Sequence, residues 1–181
     1  MSGGRPGAGV RVREMLLADC EQVARIRVRG WQTAYRGLVP QSYLDAMDTA
    51  EEAGRRRALF ARAPEGTVSL VAEDGDGRVV GWAVHGPYRE GELFTADAEL
   101  YALYVAPGRS GAGVGRALLG ETVHRCGEAG HPRMLLWVLR GNTRARRFYE
   151  LSGFGPDGTE ESFEVEGVAV PEVRYARHLI G

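Results

Sequence analysis

The sequence predicts one α/β domain over residues 10–181, a mixed central β-sheet with flanking helices. Three observations predict it. Short apolar, turn-bounded runs alternate with runs of helical period along the chain. A length of 181 residues suits a single core. Residues 99–120 read in succession as strand, glycine loop and helix.

Residues 1–9 hold glycine and proline and no apolar stretch, which predicts a disordered tail rather than a signal peptide. Val10 to Met15 alternates apolar and charged, as a half-buried strand does. Asp19 reads as an N-cap with Gln22 as its box partner, opening a helix marked by Val23, Ile26, Val28 and Trp31. Pro40 suits the start of a second helix carrying Tyr43, Leu44 and Met47 and resuming to Leu59 and Phe60. The Arg55-Arg56-Arg57 run reads as a solvated face. Val68–Glu73 and Val79–Val84 predict two strands, joined at Asp74-Gly75-Asp76-Gly77 by a hairpin turn. Residues 86–98 are expected to be a loop, made acidic by Glu90, Glu92 and Asp97.

After the strand at 99–105, Pro107 and Gly108 end the ladder, and helical spacing resumes at Ala117, Leu118, Leu119, Val123 and Cys126. Met134–Leu139 is a mostly apolar run, expected to lie buried and parallel to its predecessor across the 116–129 helix. Asn142 starts a helix bearing Ala145, Phe148, Tyr149 and Leu151, which Gly153 stops. Ser162–Val165 and Val173–Leu179 are read as two final strands.

The loop between strand and helix carries the first chemical signal. Gly111, Gly113 and Gly115 alternate with Ala112 and Val114, so main-chain N–H groups can approach a ligand closely. The helix that follows adds unpaired donors and a partial positive charge, which together suit a pyrophosphate. A tight turn without a ligand explains the same glycines equally well. A P-loop is excluded because no Gly-Lys-Ser/Thr is present, and a dinucleotide fingerprint from Gly111 fails because position 116 is Arg116.

Composition narrows the partners. The formal net charge is −1, so no overall field favours nucleic acid or an anionic membrane, and no run is long enough to span a bilayer. All 23 basic residues counted as Lys or Arg are arginine. Cys20 and Cys126 lie far apart, which fits buried reduced thiols in a cytoplasmic protein. His85, His124, His131 and His178 form no ligand pattern, and no metal is expected.

Three stretches together resemble the GNAT acetyltransferases over about residues 10–180. Residues 104–119, Tyr-Val-Ala-Pro-Gly-Arg-Ser-Gly-Ala-Gly-Val-Gly-Arg-Ala-Leu-Leu, are similar to the family's pyrophosphate motif. Residues 136–154, from Leu136 through Asn142 and Tyr149 to Phe154, resemble its second motif. Val71 to Trp82 resembles its central hairpin more weakly. The resemblance implies the GNAT fold and transfer of an acetyl group from acetyl-CoA to a primary amine on a small molecule or peptide, with a homodimer left open. It implies main-chain pairing of the pantetheine arm with Leu103, Tyr104 and Val105. The pyrophosphate is expected on Ser110, Gly111, Ala112, Gly113, Val114, Gly115 and Arg116. Asn142 matches the asparagine that contacts the cofactor arm or an ordered water, and Tyr149 the tyrosine general acid, itself near the cofactor. The pattern departs at Ser110, where the family has Arg or Gln; Arg109 stands one place too early, and Arg116 offers a substitute charge.

Acetyl transfer needs a neutral amine, donors for the oxyanion and a proton for the departing thiolate. Some family members use a glutamate at the head of the central strand as base, and that position is Glu99. A solvated carboxylate, with the amine deprotonated through water, is the alternative. Trp31 and Tyr35 near the end of the first helix are candidates for acceptor binding, or for core packing. Two other functions stay in view: transfer from a longer acyl-CoA, and acyl-CoA sensing without turnover, for which a proton donor at Tyr149 would be superfluous.

Overall fold

A computed structural model describes residues 9–90 and 93–179. The elements run β1 (Arg11–Glu14), α1 (Cys20–Ala34), α2 (Gln41–Ala46), α3 (Thr49–Ala61), β2 (Val68–Glu73), β3 (Val79–Glu90), β4 (Leu93–Val105), α4 (Val114–Glu128), β5 (Arg133–Leu139), α5 (Thr143–Leu151), β6 (Gly155–Val165) and β7 (Val168–His178). They form one seven-stranded sheet ordered β1-β2-β3-β4-β5-β7-β6. β4 and β5 pair in parallel, as expected across α4, and the other neighbours are antiparallel.

Several boundaries differ from expectation for physical reasons. Asp19 stands at the N-cap position of α1, as expected, but its side chain makes no capping bond to the helix. It closes a single 3-10 turn (Leu17–Asp19), accepting from Leu16 N at 2.7 Å, and its carboxylate is held by Arg13 at 2.8 Å. Gln22 accepts from Val79 N instead. The second predicted helix breaks at Met47, and Asp48 caps its continuation by accepting from Glu51 N at 2.8 Å. Arg55 and Arg57 are exposed as expected. Arg56 is not, because its guanidinium lies 5.4 Å over the Trp82 ring and pairs with Glu52 at 2.8 Å.

The expected loop at 86–98 is largely strand. β3 and β4 continue as a hairpin as far as Glu90 and Leu93, and a register irregularity accommodates Pro87, which cannot donate to a regular ladder. Glu92 lies outside the described residues. β6 starts earlier than expected because an irregularity between Pro156 and Glu160 absorbs the Pro-Asp-Gly segment, and β7 does so because a tight turn at Glu166-Gly167 pairs Val168 with Val165.

The feature that shapes the centre of the sheet is a bulge in β4. Val84 pairs with Ala102 but His85 with Leu100, so Tyr101 is an extra residue. The bulge reverses the facing of everything after it. Ala98 and Leu100 pack with the α4 core, and so do Leu103 and Val105, an odd number of residues later. Ala102 and Tyr104 face α1 with Val23, Ile26 and Trp82. α4 sits close against β3 because position 81 is glycine; a Cβ there would stand 2.7 Å from Val114 and 2.8 Å from Leu118.

Both cysteines are free and buried. Burial pushes the Cys126 thiol up to about 12, so it stays protonated and inert. His85 is also buried, and desolvation, ahead of the charge of Arg125, lowers its pKa from 6.5 to about 4. The unfolded chain therefore binds a proton between those values that the folded protein refuses. This histidine costs stability as pH falls from 6.5 to about 4, with no further loss below. Glu99 and Glu172, both raised to about 7, act in the opposite sense over 7 to 4.5. The difference between wild type and His85→Leu isolates the histidine. Urea midpoints measured at a series of pH values should show the variant gaining relative to wild type across that window, and a constant difference would refute the assignment.

Candidate active site

The glycine loop is built from three turns of positive φ. Gly108, Gly111 and Gly113 have φ of 89°, 80° and 82°. Gly113 is the residue immediately before α4, in the left-handed conformation, and Ala117 N donates to its carbonyl at 3.0 Å. A Cβ on any of these three would meet nothing within 4 Å, so the outer face of the loop is open. Not every amide is free. Ala112 N donates to Arg109 O at 3.2 Å, so of the expected cradle residues Ala112 is already engaged in the turn. Arg109 N donates to Ala106 O, and the Arg109 side chain is bound to Asp74 at 2.6 Å. Arg109 therefore spends its charge on the β2–β3 turn. Arg116, exposed on the first turn of α4, is in no ion pair among the described residues and stands where an anion's charge would fall.

From this loop an unpaired backbone edge runs back along β4. β4 pairs with β5 only at Ala98, Glu99 and Leu100, against Met134, Leu135 and Leu136. Leu103, Tyr104 and Val105 pair with β3 on one side and with no strand on the other. The two strands thus part at the bulge, leaving a slot whose edge can accept an extended ligand as a further strand. α5 flanks the slot. Asn142 caps it, its Oδ1 accepting from Ala145 N at 3.2 Å, so the carboxamide oxygen is engaged in the helix. Gly153 ends α5: Phe154 N donates to Tyr149 O and Gly153 N to Glu150 O, which satisfies the last carbonyls.

Tyr149 is buried against Phe148 and Phe154, with ring centroids 5.2 and 6.0 Å away. Burial, and then the neighbouring Tyr104 phenol, hold its proton more tightly than in a free tyrosine. Tyr104 reaches the other face of the sheet. Its hydroxyl accepts from Trp31 Nε1 at 2.8 Å, and its ring stacks 6.0 Å from Trp82. Trp31 in turn meets Tyr35 edge-on at 4.8 Å. Burial first, and then Tyr104, raise the Tyr35 phenol well above its ordinary range. Trp31 and Tyr35 are therefore both packed and adjacent to the slot. They serve neither as bare core nor as a detached binding patch.

Glu99 stands at the last pairs before the strands part. It is half-buried, and desolvation raises its carboxyl to about 7. The exposed Glu161 on β6 adds to that rise, while Arg174 on β7 and Arg89 on β3 oppose it. Glu172 on β7, opposite Glu161 in the register, is likewise raised to about 7 by burial and by Glu161. Arg174 is tied to Asp157 at 2.6 Å and donates to Tyr88 at 2.9 Å. The acidic residues near Glu99 in the sequence are not the ones that raise its carboxyl. Asp97 is buried and paired with Arg133 at 2.7 Å, and Glu90 sits at the far end of β3.

Glu161, Glu172 and Arg174 escaped the sequence reading because they come from the two strands farthest along the chain. The alternation of Glu160-Glu161 and Glu172-Val173-Arg174 was visible, but their convergence on Glu99 was not. The arrangement as a whole combines an open loop at a helix N-terminus, an open strand edge, a carboxyl that can exchange a proton near neutral pH, and a phenol that keeps its proton. Among the described residues no three His, Cys, Asp or Glu side chains converge as metal ligands, and no helix is long and apolar enough to cross a membrane.

Comparisons with known proteins bear on the family and the fold. The model of the Acetyltransferase (GNAT) family matches residues 28–154. An uncharacterized N-acetyltransferase of Bacillus subtilis, YuaI, is 34% identical over 165 residues, 91% of this chain and 90% of that one. The PaiA N-acetyltransferase of Thermoplasma acidophilum, solved with coenzyme A, superposes with a TM-score of 0.73 at 19% identity, covering 94% of this chain and 99% of its own. A phosphinothricin acetyltransferase of Sinorhizobium meliloti, solved with acetyl-CoA, does so with a TM-score of 0.71 at 22% identity, covering 93% and 88%. At those identities the two solved structures bear on the fold.

Proposed function

The chain belongs to the GNAT acetyltransferase family, and from that premise we propose that it moves an acetyl group from acetyl-CoA directly to a primary amine. The observation that carries the reading is the continuity of the open loop at 110–116, the unpaired edge of β4 and Glu99 at its end. The free amides of Ser110, Gly111, Gly113, Val114, Gly115 and Arg116 suit a pyrophosphate, with Arg116 supplying charge. The edge at Leu103–Val105 suits the amide-bearing arm, which relatives of the fold hold as CoA or acetyl-CoA. When bound, the thioester supplies an activated carbonyl.

The chain's own residues do the rest. Glu99, directly or through a water, takes a proton from the incoming ammonium so that its nitrogen lone pair can attack. The carbon–nitrogen bond forms as the carbon–sulfur bond breaks. Tyr149, whose phenol stays protonated through the neutral range, gives the thiolate its proton. Burial first, and then Glu161, raise the Glu99 carboxyl while Arg174 and Arg89 oppose them, which holds it near neutrality.

A thiol-release assay with acetyl-CoA, octanoyl-CoA and a panel of primary amines tests the activity and separates it from a longer-chain acyltransferase or a silent binder. In the wild type, the rate should climb as Glu99 ionises through about pH 7 and flatten above, because only the carboxylate accepts a proton. Glu99→Gln keeps the shape and should lower the rate by roughly ten- to a hundredfold while losing that limb. A variant with the full rate and the same limb would leave deprotonation to water alone.

A further inference from the structure

The loop that precedes α4 is held at three places by the β2–β3 hairpin. At its start, Ala106 N donates to Val80 O on β3 at 2.8 Å. At its end, Val114 packs over Gly81, where a Cβ would stand 2.7 Å from it. Between the two, Arg109 reaches the β2–β3 turn and donates to Asp74 Oδ2 at 2.6 Å. The outer two contacts are backbone and packing. The middle one is a single ion pair.

Arg109 is also where the loop's own turns meet. Its N–H donates to Ala106 O at 3.0 Å, and its carbonyl accepts from Ala112 N at 3.2 Å. Gly108, Gly111 and Gly113, with φ of 89°, 80° and 82°, give the same segment wide backbone freedom. The carboxylate at the other end is already fixed, because Asp74 Oδ1 accepts from Asp76 N and Arg78 N, each at 3.0 Å. Oδ2 therefore meets Arg109 from a set position, with little side-chain freedom left to lose. Asp74 itself stands outside the residues that suit CoA.

We propose that Asp74 is a positioning residue for the cofactor loop: acting through Arg109, it holds residues 108–113 in the shape that receives the pyrophosphate before the pyrophosphate arrives. The inference rests on the acetyl-transfer reading, which puts acetyl-CoA on that loop. The physical reason is entropic. A loop with three such glycines loses much freedom when a ligand orders it, and that loss subtracts from affinity. A loop ordered beforehand avoids it. A solvent-accessible ion pair adds little to the stability of a fold, so its effect falls on binding rather than on folding.

Asp74→Asn keeps the size and the oxygen that accepts from Asp76 N and Arg78 N, and removes only the charge facing Arg109. Arg109→Met removes the other partner, and Arg109→Lys keeps its charge. Calorimetry with acetyl-CoA should show Asp74→Asn and Arg109→Met each binding about three- to tenfold more weakly. Arg109→Lys should lose less than about threefold, and the double variant should bind no more weakly than either single. Thiol release with a primary amine should show the same rise in KM for acetyl-CoA, with kcat and the amine KM nearly unchanged. In the free protein, the hydrogen-bonded amides of Arg109 and Ala112 should exchange faster in Asp74→Asn, while β3 and α4 keep their protection. If Arg109→Met does not fold, Asp74→Asn and Arg109→Lys still decide. Unchanged affinity in a folded Asp74→Asn protein overturns the positioning role and leaves acetyl transfer standing. Tighter binding by that variant also overturns it, because Asp74 would then be withholding Arg109 from the phosphates. A lower urea midpoint with changes of equal size in kcat and both KM values assigns the pair to the fold and overturns it likewise. Binding that follows the expected order, with no thiol release from any amine, overturns acetyl transfer and keeps the positioning role. A wild type that binds no acetyl-CoA overturns both.

Discussion

Replacing Gly113 by glutamate should weaken acetyl-CoA binding by about a hundredfold or more, a loss of about 2.7 kcal/mol. Three effects act in the same direction. Gly113 has φ of 82°, a conformation that costs an L-residue about 1 kcal/mol or more. It is the residue before α4, where the helix's free N–H groups and partial positive charge meet a ligand. A carboxylate there competes with the pyrophosphate for those donors and repels it. Gly113→Ala separates the causes, because it introduces the strain without the charge. Since a Cβ at 113 meets nothing within 4 Å, the alanine variant should lose only severalfold in affinity and should stay folded. Calorimetry with acetyl-CoA on both variants reads the difference. A folded Gly113→Glu protein of unchanged affinity would mean that the loop is a turn and nothing more.

Tyr149→Phe should lower kcat by roughly ten- to a thousandfold and leave acetyl-CoA affinity nearly intact. The ring keeps its contacts with Phe148 and Phe154, so the fold loses little. What goes is the hydroxyl, which is buried and holds its proton more tightly than usual. Because that pKa is raised, the phenol is protonated throughout the neutral range and contributes no alkaline limb below about pH 10. A single-turnover measurement isolates the chemical step from product release. An unchanged chemical rate would reduce Tyr149 to a packing residue, with the thiolate protonated by water.

These two predictions come from opposite kinds of information. The loop at 110–116 is local: strand, turn glycines and helix follow one another in the chain, and hydrogen bonding within a few residues decides the shape. It was legible for that reason, as were α5 with its Asn142 cap and Gly153 stop, and the Asp74–Gly77 hairpin. The resemblance of residues 104–119 and 136–154 to GNAT motifs also stood on the sequence alone, and the family match agrees with it. Tyr149 and Glu99 could be singled out by position, but their environments could not.

By itself, then, the sequence determined the α/β class, the order of most elements and the loop's backbone freedom, because these follow from local periodicity and turn chemistry. The rest is decided by pairing between distant segments. The bulge at Tyr101 exists only in the register of β4 against β3, and it is what turns Tyr104 toward Trp31 and Leu103 toward α4. The slot depends on β5 leaving β4 after Leu100. Arg109 stands one place too early in the motif by sequence, and only the fold shows that the β2–β3 turn brings Asp74 to within 2.6 Å of it. Asp97 stands two residues from Glu99 in the chain, but Arg133 takes it, and Glu161 and Arg174 reach Glu99 from β6 and β7. Charge and burial act over a few ångströms of space, whatever the separation along the chain, so a carboxyl's proton affinity is a property of the folded sheet.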